Sequence, residues 1–256
     1  MKKITRSSFA GLAVFLAAAS FGAPAFSQTA APERIARIQA QIDQRGGNWV
    51  AGETSVSNLS EEETRNLVGL SFTVLKAAPL PELSDKAIPA SLDWRSANGN
   101  FVTGIRSQKN CGSCWAFALT GALESYVLRA KGTPGTDLDL SEQVMLSCSG
   151  AGSCKGGTLD GSFLQRTGVP PESFYPYTAT DGTCSSAGAG WQKAVYKIDG
   201  WGSVSRNLAS MKSALVTYGP FPTGMMVYED FKNYKSGVYS YTTGKKLGGH
   251  GVVIVG

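Results

Sequence analysis

Residues 108–117 of this chain read Gln108-Lys109-Asn110-Cys111-Gly112-Ser113-Cys114-Trp115-Ala116-Phe117. A turn that contains glycine gives way here to an apolar run with helical spacing, so Cys114 is predicted to begin a helix. Its sulfur would then lie near unpaired backbone N–H groups, at the positive end of the helix dipole. Because this setting favours the thiolate, which is the nucleophilic form of cysteine, the sequence predicts a reactive thiol at Cys114.

The chain of 256 residues contains one histidine, His250. A cysteine nucleophile works with a group that carries its proton, so His250 is the one candidate imidazole for Cys114. A lone histidine on a strand is usually structural, but this one stands in the run Gly248-Gly249-His250-Gly251. Because glycine neighbours offer the ring little packing, the setting favours a catalytic histidine over a structural one.

Two other uses of the cysteines compete with a nucleophile. Cys111 and Cys114 form a Cys-x-x-Cys pair like those of redox proteins, but there tryptophan usually precedes the pair, whereas Trp115 follows it. Cys111, Cys114, Cys148 and Cys154 have the number of ligands of a structural zinc site. The spacing between Cys148 and Cys154 is long for a zinc-binding pair. The sequence therefore favours a cysteine nucleophile with no metal and no cofactor.

The N-terminus is typical of a secretory signal. Lys2, Lys3 and Arg6 precede an apolar run at 9–21, and small residues follow it. The run is shorter than the roughly 20 residues of a membrane span, so export is favoured over a membrane anchor. We expect residues 1–27 to be removed, leaving a periplasmic or extracellular protein with no membrane attachment. Such a compartment is oxidising and allows cysteines to pair.

Patterning along the rest of the chain indicates helices first and strands later. Helical patterns cover 114–130, begin again at Ser141 and recur at 206–218. The predicted strands, which are rich in β-branched and aromatic residues, are 195–201, 227–228 and 251–255. A helical half followed by a β-rich half indicates the α+β class. The net charge of +5 is mild and the basic residues are not clustered, which argues against a nucleic-acid partner.

Several motifs, in chain order, resemble the papain-like cysteine proteases. Cys-Gly-Ser-Cys-Trp with a histidine well downstream is a signature of papain and the cathepsins. The other matching segments are Ile88-Pro89-Ala90-Ser91-Leu92-Asp93-Trp94-Arg95, Leu140-Ser141-Glu142-Gln143, Cys154-Lys155-Gly156-Gly157, Tyr175-Pro176-Tyr177 and Gly249-His250-Gly251-Val252-Val253. The resemblance covers 88–256 and implies a papain-like peptidase domain with a helical N-terminal lobe, a β-rich C-terminal lobe and an active cleft between them.

The family's catalytic roles carry over to named positions. Cys114 would attack the substrate, and His250 would pair with the thiolate and then protonate the leaving amine. Gln108 would donate its side-chain NH₂ to the oxyanion, together with the Cys114 backbone N–H. Gly156 and Gly157 would pair with an extended substrate. Gly224 and Gly248 would help line the pocket for the second residue before the cut, and Gly249 is a further predicted substrate-binding glycine. The alternative for Gln108 is that it is an ordinary surface residue. The alternative for Gly156 and Gly157 is that they only form a turn.

Five cysteines leave one unpaired in a secreted monomer. If Cys114 is the free thiol, the other four allow three pairings, among which the spacing does not choose. The resemblance selects Cys111–Cys154 and Cys148–Cys184. The family's third disulfide is missing, since no cysteine follows Cys184.

Residues 28–87 are polar and alanine-rich and carry two helical signals. Ser60 with Glu63 forms a capping box that opens a short helix, which we expect to end near Gly69. The other signal is a set of isoleucines at helical spacing, Ile35, Ile38 and Ile42. The segment resembles the short prosegment of cathepsin B-type relatives, which implies that it inhibits its own enzyme. A disordered linker is the alternative.

The predicted function is that of a secreted monomeric endopeptidase, which cuts peptide or protein substrates through a thioester intermediate. A histidine-bearing loop that occludes the cleft is not found in the sequence, which favours cutting within chains. The family orients its histidine with an asparagine downstream, and residues 251–256 contain none. We therefore expect an incomplete C-terminal lobe. The second hypothesis is a non-catalytic relative or fragment that binds peptides without cutting them.

Overall fold

The computed structural model describes residues 31–73, 75, 77–81 and 88–256, and the predicted signal at 1–27 lies outside them. The helices are α1 (Ala31–Gln44), α2 (Glu61–Arg65), α3 (Cys114–Lys131), α4 (Glu142–Cys148), α5 (Ser162–Arg166) and α6 (Leu208–Tyr218). The strands are β1 (Asn48–Ala51), β2 (Gly152–Ser153), β3 (Gly156–Gly157), β4 (Phe221–Tyr228), β5 (Tyr234–Val238) and β6 (Lys246–Ile254). This mixture of helices and antiparallel strands is an α+β fold. Within the described ranges, no helix combines the length and apolar character needed to cross a membrane.

Helix α3 runs through the larger of two hydrophobic cores. It is buried on most of its faces, as expected of a helix that is apolar all round. The buried residues that pack with it include Leu140, Val144, Met145, Phe163 and Val169. The helix ends at Gly132, whose φ of 62° lies in the left-handed region that glycine adopts without strain. The core therefore fixes the position of Cys114, the first residue of α3.

Strands β4 and β6 form an antiparallel pair that lies against the start of α3. Met225 is opposite His250 and Gly224 is opposite Gly251 in this pair. A Cβ on Gly251 would come within 2.9 Å of the Cys114 carbonyl oxygen. Only glycine lets β6 approach the helix this closely, and the approach brings His250 beside the N-terminus of α3.

The segment that precedes residue 82 packs on both halves of the molecule. Strand β1 pairs antiparallel with β5, and Ile38, Ile42 and Trp49 form a second core with Tyr234 and Tyr239. This confirms that the isoleucines share one helical face. The capping box is also present, because Ser60 and Glu63 exchange hydrogen bonds at the start of α2.

A predicted helix boundary and a predicted strand are wrong. Helix α2 ends at Arg65 rather than near Gly69, since Asn66 and Leu67 form a turn and Leu70 then makes a bridge with Gly157. Residues 195–201 do not form a strand, since Tyr196 makes one isolated bridge with Val169. Their β-branched and aromatic side chains pack against the helical core instead, because β-propensity reflects a fit to any half-buried surface.

Candidate active site

Cys114 is the free thiol among the five cysteines and is 1% exposed. It occupies the first helical position of α3, directly after the N-cap residue Ser113. The first backbone N–H groups of a helix have no intrahelical partner and carry partial positive charge. The sulfur of Cys114 is therefore close to donors that stabilise negative charge.

Two disulfides hold the loops around this thiol. They join Cys111 to Cys154 and Cys148 to Cys184, which are the pairs that the resemblance selects. The backbone N–H of Gly112 also donates to the carbonyl oxygen of Cys154 at 2.8 Å. The turn before α3 is thereby fixed to the loop that carries the glycine pair of β3. Among the described residues, no group of His, Cys, Asp and Glu side chains is arranged to hold a metal ion.

The side-chain amide of Gln108 lies in the groove and makes two hydrogen bonds. Its Nε2 donates to the carbonyl oxygen of Cys111 at 2.7 Å and to that of Leu67 at 3.1 Å. A glutamine NH₂ group has two protons, so one is held within the loop and the other points at the groove. In this structure Gln108 thus presents a side-chain donor to the carbonyl of a peptide segment in the groove.

His250 lies in the middle of β6 with its ring largely enclosed. Burial lowers the pKa of His250, and a hydrogen bond with the backbone of Leu67 opposes part of that lowering. Within the described residues its Nδ1 is buried without a hydrogen-bond partner. The imidazole is therefore held towards its neutral form in this state of the molecule.

Residues 67–72 fill the groove between the glycine pair of β3 and the start of β6. The Gly157 N–H donates to the Gly69 carbonyl oxygen at 2.8 Å, and the Ser71 N–H donates to that of Gly157 at 2.8 Å. On the other side, the Leu70 N–H donates to the Gly249 carbonyl oxygen at 2.9 Å. The groove thus binds an extended backbone from both walls.

Every glycine that was predicted to bind substrate touches this occupying segment. A Cβ on Gly156 would lie 2.7 Å from the Gly69 carbonyl oxygen, and one on Gly248 would lie 2.6 Å from Val68 Cγ2. The remaining predicted glycines, Gly157, Gly224 and Gly249, would clash with Trp115, Leu70 and Phe72. At Gly156 and Gly249 a side chain would keep the backbone of residues 69–70 from approaching, whereas the absence of a side chain at Gly157 makes room for Trp115.

Sequence reasoning missed a hydroxyl pair behind the groove. Ser113 Oγ lies 2.6 Å from Tyr177 Oη, and Tyr177 Oη donates to the Gln108 carbonyl oxygen at 2.9 Å. The Tyr-Pro-Tyr motif signalled Tyr177, but only the folded structure brings this phenol to Gln108.

Two glutamates are buried in the core, Glu124 on α3 and Glu142 at the start of α4. Burial raises the pKa of Glu124 to about 7, although Thr103 and the Leu140 N–H donate to its carboxylate. Burial also raises the pKa of Glu142 to about 8, with a further contribution from Glu124. Their protonation therefore affects stability rather than the chemistry at the groove.

The sequence of this chain is similar to those of known proteins. Residues 88–256 match the profile described as "Papain family cysteine protease". A cathepsin L-like proteinase of Fasciola hepatica is 34% identical over an alignment of 182 positions, which covers 68% of this chain and 53% of that protein. A cathepsin B-like protein, CP2, of Giardia intestinalis is 31% identical over an alignment of 256 positions, gaps included, which covers 94% of this chain and 82% of that protein. The chain thus spans about half the length of the Fasciola relative.

The similarity extends to solved precursor structures. Digestive procathepsin L 3 from the larval midgut of Tenebrio molitor is similar with a TM-score of 0.71 and 26% identity, covering 88% of this chain and 73% of that one. Its coverage exceeds the share of the chain that residues 88–256 make up, so the likeness also includes part of the segment before residue 88.

Proposed function

This chain belongs to the papain family of cysteine proteases, and from that premise we propose that it is a secreted cysteine endopeptidase made as an inactive precursor. Residues 1–27 are the export signal, residues 28–87 the prosegment and residues 88–256 the peptidase domain. The substrates are extended stretches of polypeptide that lie in the groove between β3 and β6.

In the proposed reaction the Cys114 thiolate attacks the carbonyl carbon of the scissile bond. The oxygen gains negative charge and accepts hydrogen bonds from Gln108 Nε2 and the Cys114 N–H, where each donor contributes about 2.7–4 kcal/mol. His250, as imidazolium, gives its proton to the leaving nitrogen, so the amine departs and a thioester remains. Water then gives a proton to His250 and attacks the thioester, which releases the acid and restores the thiolate.

One observation carries this proposal. The Leu67 carbonyl oxygen accepts a hydrogen bond from Gln108, and the backbone of the same residue acts on His250, where it raises the pKa of the ring against the effect of burial. A peptide carbonyl thus lies between the two groups that the mechanism assigns to oxyanion binding and proton transfer. This supports a groove built to receive the carbonyl of a substrate at that position.

The same contacts support inhibition by the prosegment. Gln108 Nε2 cannot serve a substrate carbonyl while it donates to Leu67. The backbone groups of Gly157 and Gly249 are likewise engaged by residues 69–71. Burial in this state also lowers the pKa of His250 and disfavours the imidazolium that the mechanism requires. Removal of the prosegment should therefore free the hydrogen-bonding groups of Gln108, Gly157 and Gly249. It should also expose His250, so that its imidazolium form is favoured again.

Labelling with iodoacetamide at pH 5 tests the nucleophile. An ordinary cysteine is almost fully protonated at that pH and reacts slowly, whereas an activated thiolate reacts. The processed natural enzyme should be labelled at Cys114 and should cleave a fluorogenic dipeptidyl amide, and the precursor should do neither. Cys114→Ala should abolish both signals, and a denatured sample at pH 8 gives the total thiol content. Cleavage that survives Cys114→Ala would exclude the proposed mechanism.

A second candidate function is peptide binding without cleavage. It is favoured by the Nδ1 of His250, which has no partner among the described residues to fix the orientation of the ring. In that case the processed protein would bind a peptide with blocked ends but leave it intact, and Cys114 would stay unlabelled at pH 5. An endopeptidase would instead cut the blocked peptide at an internal bond.

Export is tested by the N-terminus of the protein recovered from an expressing host. The secreted precursor should begin after Ala25 or Ser27, within the small-residue stretch that follows the apolar run. Retention of the whole N-terminus in the membrane fraction would support an anchor instead.

A further inference from the structure

Two hydroxyl groups connect the loop of Gln108 to the residue before the nucleophile. Tyr177 Oη donates to the Gln108 carbonyl oxygen at 2.9 Å and lies 2.6 Å from Ser113 Oγ. A phenol has one proton, and here Gln108 receives it. The Ser113 hydroxyl must therefore donate to Tyr177, so the bonds run in one direction from Ser113 through Tyr177 to Gln108.

This arrangement changes the usual role of a serine at the start of a helix. Ser113 is the N-cap residue of α3, where a serine side chain normally accepts from a backbone N–H of the first turn. Its side chain makes no such cap here, and the residue is completely buried. The hydroxyl is turned towards Tyr177 instead, so it connects the start of α3 to the loop of Gln108.

The loop that carries Gln108 needs external support. Lys109 has a φ of 49°, in the left-handed region that is strained for a residue with a side chain. The C-terminal end of the loop is fixed by the Cys111–Cys154 disulfide and by the hydrogen bond from Gln108 Nε2 to the Cys111 carbonyl oxygen. The N-terminal end is held through the Gln108 carbonyl by Tyr177.

Tyr177 is itself well fixed, so it can hold its neighbours in place. Its ring meets Phe117 edge-on, with centroids 4.9 Å apart. Its backbone N–H donates to Glu172 Oε1 at 2.6 Å. Burial raises the pKa of the Tyr177 phenol, so the proton that it gives to Gln108 is retained at working pH.

We infer that Tyr177 is a positioning residue of the oxyanion site, which sets the Gln108 amide and the uncapped start of α3 relative to each other. The inference deepens the proposed peptidase function and rests on it. Tyr177 touches neither substrate nor thiol in this role. Its loss should impair steps that build an oxyanion and leave the reactivity of the Cys114 sulfur unchanged.

The test compares Tyr177→Phe with Tyr175→Phe in the processed natural enzyme. Tyr175 is a matched control in the same motif, because its hydroxyl also donates to a backbone carbonyl, that of Thr183, at 3.2 Å. Tyr177→Phe should lower kcat for a dipeptidyl amide by about 10- to 100-fold with little change in KM, as expected when a donor is misplaced by a fraction of an ångström. Tyr175→Phe should change kcat by less than about threefold, since it leaves the oxyanion donors in place.

Alkylation by iodoacetamide separates positioning from a general loss of structure. This reaction displaces iodide at a saturated carbon and forms no oxyanion, so its rate at Cys114 should be the same in both tyrosine variants and the wild type. A parallel fall in alkylation and cleavage would overturn the inference, and so would an unchanged kcat. Thermal unfolding of both variants checks that they are folded to the same extent.

A double-mutant cycle asks whether Tyr177 acts through Gln108. In a Gln108→Ala background, Tyr177→Phe should have little further effect on kcat, because the donor that it positions is gone. Full additivity would overturn the inference. If the wild type cleaved no substrate, the proposed function would be wrong. The role of Tyr177 could still be tested by measuring the affinity of the protein for a peptide aldehyde. The hemithioacetal formed at Cys114 places its oxygen in the same site, so equal affinity of wild type and Tyr177→Phe would overturn the inference.

Discussion

The side chain of Gln108 donates a hydrogen bond of 3.1 Å to the carbonyl oxygen of Leu67. One end of this contact belongs to the predicted oxyanion site, and the other to the segment that precedes the domain. Under the proposed function, inhibition and catalysis compete for this one donor. A substitution of Gln108 is therefore expected to affect both the rate of cleavage and the affinity of the prosegment for the peptidase domain.

Gln108→Ala should lower kcat of the processed enzyme by about 10²- to 10³-fold, because one of two oxyanion donors is removed. KM should change little, since the donor acts mainly on the charge that develops in the transition state. Asn110→Ala, at an exposed position of the same loop, is the control and should retain activity. Steady-state kinetics on a dipeptidyl amide check this. A rise in KM with unchanged kcat would mean that Gln108 only binds the ground state.

Gly69→Ala in the prosegment should weaken its inhibition by about 10- to 100-fold. A Cβ at this position would overlap the Gly112 carbonyl, and overpacking of that kind costs typically 1–3 kcal/mol. Gly52→Ala is the matched control, because its Cβ would meet only the flexible Lys235 side chain at 3.2 Å. The measurement is the inhibition constant of each prosegment added in trans to the processed enzyme. Equal constants for the two variants would show that residues 67–70 do not bind in the groove as they do in the precursor.

The sequence was sufficient to predict the parts of the site that depend on local pattern. Cys114 could be placed at a helix start because a turn followed by an apolar run is a short-range signal. The capping box at Ser60 was equally local. The end of α2 could not be predicted, because hydrogen bonds to Gly157 and Gly249, and not helix propensity, determine the conformation of residues 69–71.

Contacts between distant segments were beyond the sequence. The bond from Tyr177 to Gln108 joins residues 69 positions apart and exists only because the core brings their loops together. The predicted strand at 195–201 fails for the same reason. Its composition suits a half-buried surface, and only the tertiary structure decides whether that surface is a sheet or the side of a helical core.

Acidification should weaken the binding of the prosegment. Burial lowers the pKa of His250 in the precursor, and this outweighs the hydrogen bond with Leu67. Release exposes the ring and raises its pKa, so the released state binds more protons, and the affinity of the complex falls as pH drops through this range. The measurement is the dissociation constant of the prosegment from a Cys114→Ala enzyme between pH 7 and pH 5. His250→Ala should remove much of this dependence. A constant that does not change with pH would contradict this prediction.

The buried glutamates should make the protein less stable as pH rises from about 4.5 to about 8. The pKa of Glu124 is raised to about 7 and that of Glu142 to about 8, chiefly by burial, and Asp139 raises both. In an unfolded chain a glutamate titrates near 4.3, so between these values the native state holds protons that the unfolded state has lost. The stabilisation is complete below the unfolded pKa and is lost as pH rises through the folded pKa.

Glu142→Gln tests this dependence because glutamine keeps the shape of the protonated side chain and does not ionise. The free energy of unfolding of the wild type, from urea titrations, should fall between pH 5 and pH 8, and the variant should fall less steeply. At pH 5 the two should be of similar stability, and at pH 8 the variant should be the more stable one, since it has no carboxylate to leave charged in the core. Glu62→Gln, an exposed position on α2, is the control and should keep the wild-type slope. Identical slopes for wild type and Glu142→Gln would show that the Glu142 carboxylate is charged in the folded protein and is stabilised there.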